Sequence, residues 1–170
     1  MTPREEKLSH AELTRLLAYD PETGVFRWKE VTSNRVKVGD VAGQSDTNGH
    51  IIIQVNGLRY MAHRLAWFYV HQQWPSEEID HKNRVKNDNR INNLREANRN
   101  ENNRNVSKKK HNTTGFKGVT RHTKSKHKFV AQITVDGRCK YLGIFDTPED
   151  AHAEYVRASM KYHKSFGVII

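Results

Sequence analysis

Between Ile79 and Asn105 the chain sets chemically capable side chains at three separated points. Asp80 and His81 stand together at the start. Asn93 and Arg95 follow a loop crowded with asparagine and arginine, and Glu101-Asn102 lie near the end. A carboxylate, an imidazole and a further oxygen donor gathered across a hairpin are the parts of a hard-cation site for phosphodiester cleavage. A Mg²⁺-type ion takes carboxylate and carbonyl oxygens plus waters, and needs few protein ligands. A neutral imidazole can take a proton from water near neutral pH. Neighbours on a regular strand point to opposite faces. For Asp80 to face an ion while His81 serves a water, the strand must bend or end there.

The charge distribution fits a polyanionic partner. Of 170 residues, the segment from Lys82 to Lys128 carries 15 Lys and Arg against 3 Asp and Glu, whereas the remainder carries 14 and 16. One continuous stretch therefore holds the whole excess of the formal +10, the electrostatic footprint of a nucleic-acid binder. Cys139 is the lone cysteine, which excludes a disulfide framework or a cysteine zinc site within one chain. No apolar run reaches membrane-spanning length and no secretory core is visible, so a soluble, cytoplasmic protein with no membrane partner is expected.

The elements that must position the site read as follows. Residues 9–18 suit a helix with Ser9 and Glu12 as a capping box. A turn at 19–24 leads to a short strand at 25–28, and residues 38–43 read as a strand entering a turn. The clearest hairpin joins 51–55 to 58–61 through Asn56-Gly57, and a helix follows over 63–72, stopped by Trp74-Pro75. His63 reads as a helix-start histidine bonded to that hairpin and stands outside the catalytic set. His50 and His71 have no supporting constellation. Residues 77–80 and 93–97 should pair as a hairpin, with a helix from 98 to 106 laid across them and a basic linker at 107–114.

Ile79-Asp80-His81-Lys82-Asn83, Asp88-Asn89-Arg90-Ile91-Asn92-Asn93-Leu94-Arg95 and Glu101-Asn102-Asn103-Arg104-Asn105 together resemble the ββα-metal core of the HNH endonucleases, in the variant whose last histidine is an asparagine. The resemblance implies Asp80 and Asn102 as ligands of one divalent cation, Mg²⁺ or Mn²⁺, and His81 as general base. It implies Asn93 as the residue that fixes the hairpin, and Arg95 is a plausible phosphate clamp. The preceding region, with its Tyr-Asp-Pro-Glu-Thr-Gly turn, its Ala62-His63-Arg64-Leu65-Ala66-Trp67 helix start and its Trp74-Pro75 exit, is similar to that of phage-type HNH proteins. A homing or free-standing endonuclease, phage-encoded and acting in a bacterial host, is the expectation.

The last third has another texture. Strands are expected at 116–121, 128–135 and 138–145, followed by a helix from Pro148 to about Lys161. Phe129, Ala131, Ile133 and Val135 should share one face. Gly118-Val119, Val130-Ala131-Gln132-Ile133, Leu142-Gly143-Ile144-Phe145-Asp146-Thr147 and Glu149-Asp150-Ala151 resemble the plant APETALA2/ethylene-response-factor DNA-binding domain. That family lays its sheet in the major groove. Thr120 and Phe129 replace the arginine and tryptophan usual there, so the base preference does not carry over.

The expected architecture is α+β: a hairpin-and-helix region leading into a ββα-metal core, then a three-stranded antiparallel sheet on one helix. The expected domains are 1–106 (core about 76–106) and 115–170, joined by the linker. Double-stranded DNA is the expected partner of a monomer that nicks. Lys82, Arg84, Arg99 and Arg104 are candidate DNA contacts around the core, and Lys108, Lys109 and Lys110 in the linker. Lys117, Arg121, Lys128, Gln132 and Arg138 are the candidates on the last domain. The alternative is a sequence-specific DNA-binding regulator with an inactive nuclease core.

Overall fold

The computed structural model describes residues 2–31, 34–104, 112–125 and 127–163, with the side chains of Asn100, Asn103 and Arg104 outside that description. The fold is α+β, and every sheet in it is antiparallel. The chain divides into two compact units, 1–98 and 99–170.

In the first unit, helix α1 (His10–Leu16) starts at Ser9, whose Oγ accepts from the Glu12 amide at 3.2 Å. The helix expected to reach residue 18 stops at Leu16. Leu17–Asp20 is instead strand β1, paired with β2 (Val25–Trp28), and Leu17 lies opposite Trp28. Leu17 and Tyr19 are buried while Ala18 and Asp20 are exposed, so a two-residue period governs where the leucine spacing suggested a helical one. Residues 38–43 form no strand: Val41 makes one isolated bridge to Arg27, and β3 (Gln44–Ser45) follows.

Strands β4 (Ile51–Val55) and β5 (Leu58–Met61) form the hairpin that Asn56-Gly57 announces. Both turn residues have positive φ, 49° and 77°, which the tight type I′ turn requires. Helix α2 (Ala62–His71) follows without a break. Leu13, Leu17, Phe26, Ile53 and Leu65 are fully buried in one core beneath these elements, and each such side chain contributes about 1.5–3 kcal/mol by leaving water. Strands β6 (Glu78–His81) and β7 (Leu94–Ala97) pair with Asp80 opposite Arg95 and His81 opposite Leu94. The strand expected over 77–80 is displaced by one residue, which brings His81 into it.

In the second unit, α3 (Arg99–Arg104) starts one residue after the expected 98, and the last two residues of the expected 98–106 lie outside the described ones. Most of the expected linker lies there too, and Asn112 Oδ1 accepts from the amides of Thr114 and Gly115 in a tight turn at its end. Strands β8 (Val119–Arg121), β9 (Phe129–Val135) and β10 (Arg138–Phe145) are ordered β10-β9-β8. Helix α4 (Pro148–His163) is capped by Thr147 Oγ1, which accepts from the Asp150 amide at 3.1 Å. Ala131 and Ile133 on the sheet pack with Ala151, Tyr155 and Ala158 of the helix. Gly118 has φ +77°, and a Cβ there would lie 1.9 Å from Tyr155 Cδ2. Only glycine lets the tyrosine ring settle on that backbone.

Candidate functional site

Asp80 and His81 are the last residues of β6, and both are almost fully buried. Pleating turns them to opposite sides. Asp80 faces its register partner: Nε and Nη2 of Arg95 donate to its Oδ2 at 2.8 and 2.7 Å. Two donors on one carboxylate oxygen in a buried setting form a charge-assisted pair. His81 faces the other way, toward Asn89, His63 and His50.

The loop after β6 is held from within. Asn93 is buried, its Oδ1 accepts from the Asn83 amide at 3.0 Å, and its Nδ2 donates to the Asp88 carbonyl at 2.8 Å. The Lys82 amide donates to the Asn93 carbonyl at 2.9 Å. Asp88 takes Asn83 Nδ2 and the forked guanidinium of Arg90, which holds its carboxyl down to about 2. The β1–β2 hairpin buttresses this loop. Tyr19 Oη donates to the Asn89 carbonyl at 2.7 Å, and Gly24 lies so close that a Cβ would stand 2.5 Å from Arg90 N and Asn89 C.

The state of His81 follows from these contacts. Its Nε2 lies 3.3 Å from Asn89 Oδ1. An amide oxygen only accepts, so the proton sits on Nε2 and the basic lone pair on Nδ1. Burial pushes the imidazole below its ordinary value, opposed by the Asn89 bond. The ring is therefore neutral near pH 7, the form a general base needs.

Two further imidazoles join it. The His63 ring stands edge-on to His81 at 5.1 Å between centroids, and His50 lies 5.6 Å from His63 and 6.1 Å from His81. Burial, and then the neighbouring His81, push His63 down to about 3. Among the described residues Nδ1 of both His50 and His63 is buried without a hydrogen-bond partner, and His50 Nδ1 lies 3.8 Å from Asp46 Oδ2. Neither histidine enters the catalytic set on sequence grounds, although the hairpin carries the signal. Pairing Ile52 with Met61 extends by two steps to place 50 opposite 63.

The remaining sequence candidates lie on several elements of both units. Lys82 is exposed and its Nζ donates to the Asn92 carbonyl at 2.7 Å, and Arg84 is exposed with φ 65°. Asn102 and Arg99 lie on α3, in the second unit, Asn102 half-buried and Arg99 exposed. The Arg104 side chain and Lys108, Lys109 and Lys110 fall outside the described residues. Lys117 is half-buried ahead of β8.

On the sheet, Arg121 pairs with Phe129 and Arg138 with Val135, so both share the phase of Ala131 and Ile133, which face the helix. The Arg121 guanidinium lies 5.4 Å from the Phe129 ring centroid, and Lys128 pairs with Asp146 at 3.1 Å. Of the four strand candidates, Gln132 and, one step ahead of β9, Lys128 share the phase of the opposite face with Tyr141 and Ile144. Gln132, Tyr141 and Ile144 give that open face an uncharged patch, while Arg121 and Arg138 stand on the helix-facing phase.

Among the described residues no group of three His, Cys, Asp or Glu side chains is arranged to hold a metal ion. The donors nonetheless suit a hard cation. Asp80 is a buried carboxylate already balancing a positive charge, and an amide oxygen is the other donor type such ions take. No helix among the described residues is long and apolar enough to cross a membrane.

Comparison with known proteins bears on this hairpin. No curated protein and no solved structure matches the chain. Residues 60–104, about a quarter of the chain, match the model of the HNH endonuclease family, a span that takes in His63 and the whole β6–β7 hairpin. This region therefore supports a nuclease of the HNH kind, a class that acts on DNA and generally uses a divalent metal.

Proposed function

We propose that the protein is a divalent-cation-dependent DNA endonuclease that nicks one strand, with His81 as general base. The observation that carries this reading is the His81 imidazole itself. It is buried, kept neutral, and tautomerically fixed by Asn89 at the end of β6, in a segment that matches the HNH family. His81 Nδ1 takes the proton of the attacking water. Asn93 closes the loop that carries Asn89 and so keeps the imidazole aimed.

Asp80 and Asn102 are the residues that would hold the cation. Such an ion, when bound, supplies charge neutralisation at the phosphate and the leaving oxygen. Arg95 pairs with Asp80, and its planar fork is equally suited to a phosphate. In this reading it releases one partner for the other when DNA arrives.

The assignment of domains follows the same reading: a nuclease domain over 1–106, a basic linker at 107–114 and an APETALA2-like DNA-binding domain over 115–170. The second domain supplies addressing. Its open face, with Gln132, Thr120 and Tyr141, reads bases, while Arg121, Lys128, Arg138 and Lys117 hold phosphates. Arg84, Lys82, Arg99, Arg104 and Lys108–Lys110 are the further residues that hold phosphates. A homing-type enzyme of phage origin, working as a monomer, fits this division.

The test is supercoiled plasmid with Mg²⁺ or Mn²⁺. Open-circular product preceding linear product supports a monomeric nickase. Linear product without a nicked precursor refutes the monomer. Intact plasmid despite tight binding supports the regulator with an inactive core.

A further inference from the structure

His81 Nε2 meets Asn89 Oδ1 at 3.3 Å, beyond the usual range for a nitrogen donor. Such a bond sets the tautomer but is a weak brake on rotation of the ring about its Cβ–Cγ bond. Aromatic side chains turn readily about that torsion when nothing packs against them. A second restraint comes from His63. The His63 ring meets His81 at 5.1 Å between centroids and 81° between planes, an edge-to-face contact.

His63 is itself immobilised. It is the second residue of α2, directly after β5, and is only 8% exposed. Its neighbours Ala62, Leu65 and Ala66 are buried in the core of the first unit. His50 also packs near it, at 5.6 Å between ring centroids.

The geometry points to His63 as a positioning residue: its ring, locked at the start of α2, fixes the plane of the His81 imidazole so that Nδ1 presents its lone pair in one direction. The inference deepens the reading of His81 as general base and rests on it. His63 touches no reacting atom. It acts by packing, and a neutral flat ring is what the place requires.

The experiment replaces His63 by Leu, which keeps an apolar buried group but no ring, and by Phe, which restores a ring without nitrogens. Three quantities are measured on each full-length variant: plasmid-nicking kcat, KM for DNA, and the ¹⁵N resonances of the His81 ring. For His63→Leu, kcat falls by about 100-fold, the loss expected from a misplaced catalytic group, with KM unchanged. The His81 resonances move toward tautomer-averaged positions. His63→Phe returns kcat to near the wild-type value and restores the wild-type resonances.

A Leu variant with wild-type kcat and an unmoved His81 spectrum overturns the inference. So does a folded Phe variant as slow as a base-less enzyme, which decides the matter even where the Leu variant does not fold. Should the wild-type protein cut no DNA with any divalent cation, the reading of His81 as base fails. The ring spectra of the same variants still decide whether His63 orients it.

Discussion

Arg95 grips Oδ2 of Asp80 with two donors at 2.8 and 2.7 Å, from directly across the β6–β7 pair. Both side chains are largely withdrawn from water. Removing one member of a buried pair leaves an uncompensated charge, at a cost of roughly 3–5 kcal/mol. Arg95→Ala is expected to lose about 3 kcal/mol of stability in urea melts, and Asp80→Asn in the same background to recover part of it. An unchanged melt for Arg95→Ala contradicts a structural role for the pair.

Gly24 links a remote hairpin to the site. Its φ is +73°, and a Cβ would press on the Asn89–Arg90 backbone at 2.5 Å. Gly24→Ala is expected to cost about 1–3 kcal/mol through backbone strain and displacement of the loop. It should also slow nicking, since Asn89 holds His81, while leaving DNA affinity unaltered. Full activity in the variant contradicts that buttress.

How far the sequence discloses this arrangement varies with the kind of contact. Asn56-Gly57 announces β4 and β5 because a tight turn needs residues that accept positive φ, and such chemistry is local. Leu13, Leu16 and Leu17 satisfy a helical spacing, yet Leu17 pairs with Trp28, because tertiary pairing outweighs local periodicity. The residue types of the site are legible at Asp80, His81 and Asn93. Their partners are less so. The contacts of Gly24 with Asn89 and of His63 with His81 join distant segments, and no local pattern encodes them. Arg121 and Arg138 were legible in part. Carrying the alternation of Ala131 and Ile133 through the Asp136-Gly137 turn assigns both arginines to the helix-facing phase.

Acid sensitivity should carry the mark of His63. Burial lowers its value to about 3 from an ordinary 6.5. Between those values the unfolded chain binds a proton that the folded chain refuses, so stability rises with pH across that window. The contribution is fully present above the ordinary imidazole value and is lost as pH falls toward the lower one. The slope reaches at most about 1.4 kcal/mol per pH unit for one proton. Urea melts at stepped pH should show a steeper decline for wild type than for His63→Leu, and parallel curves contradict the burial of a neutral ring.

DNA binding should weaken steeply with salt, because each neutralised phosphate on duplex DNA contributes about −0.9 to the log–log slope. The excess of cations between Lys82 and Lys128 leads us to expect a slope steeper than about −3, measured by titration at several salt concentrations. A flat response excludes an extended backbone contact.

The account turns on His81 as the base that activates water. Its most direct test is the nicking rate of supercoiled plasmid by wild type and by His81→Ala, side by side with Mg²⁺ and with EDTA. We expect the wild type to nick only with the cation. We expect His81→Ala to bind DNA with unchanged affinity and to lose at least about 100-fold in rate. Turnover retained in His81→Ala contradicts the central claim.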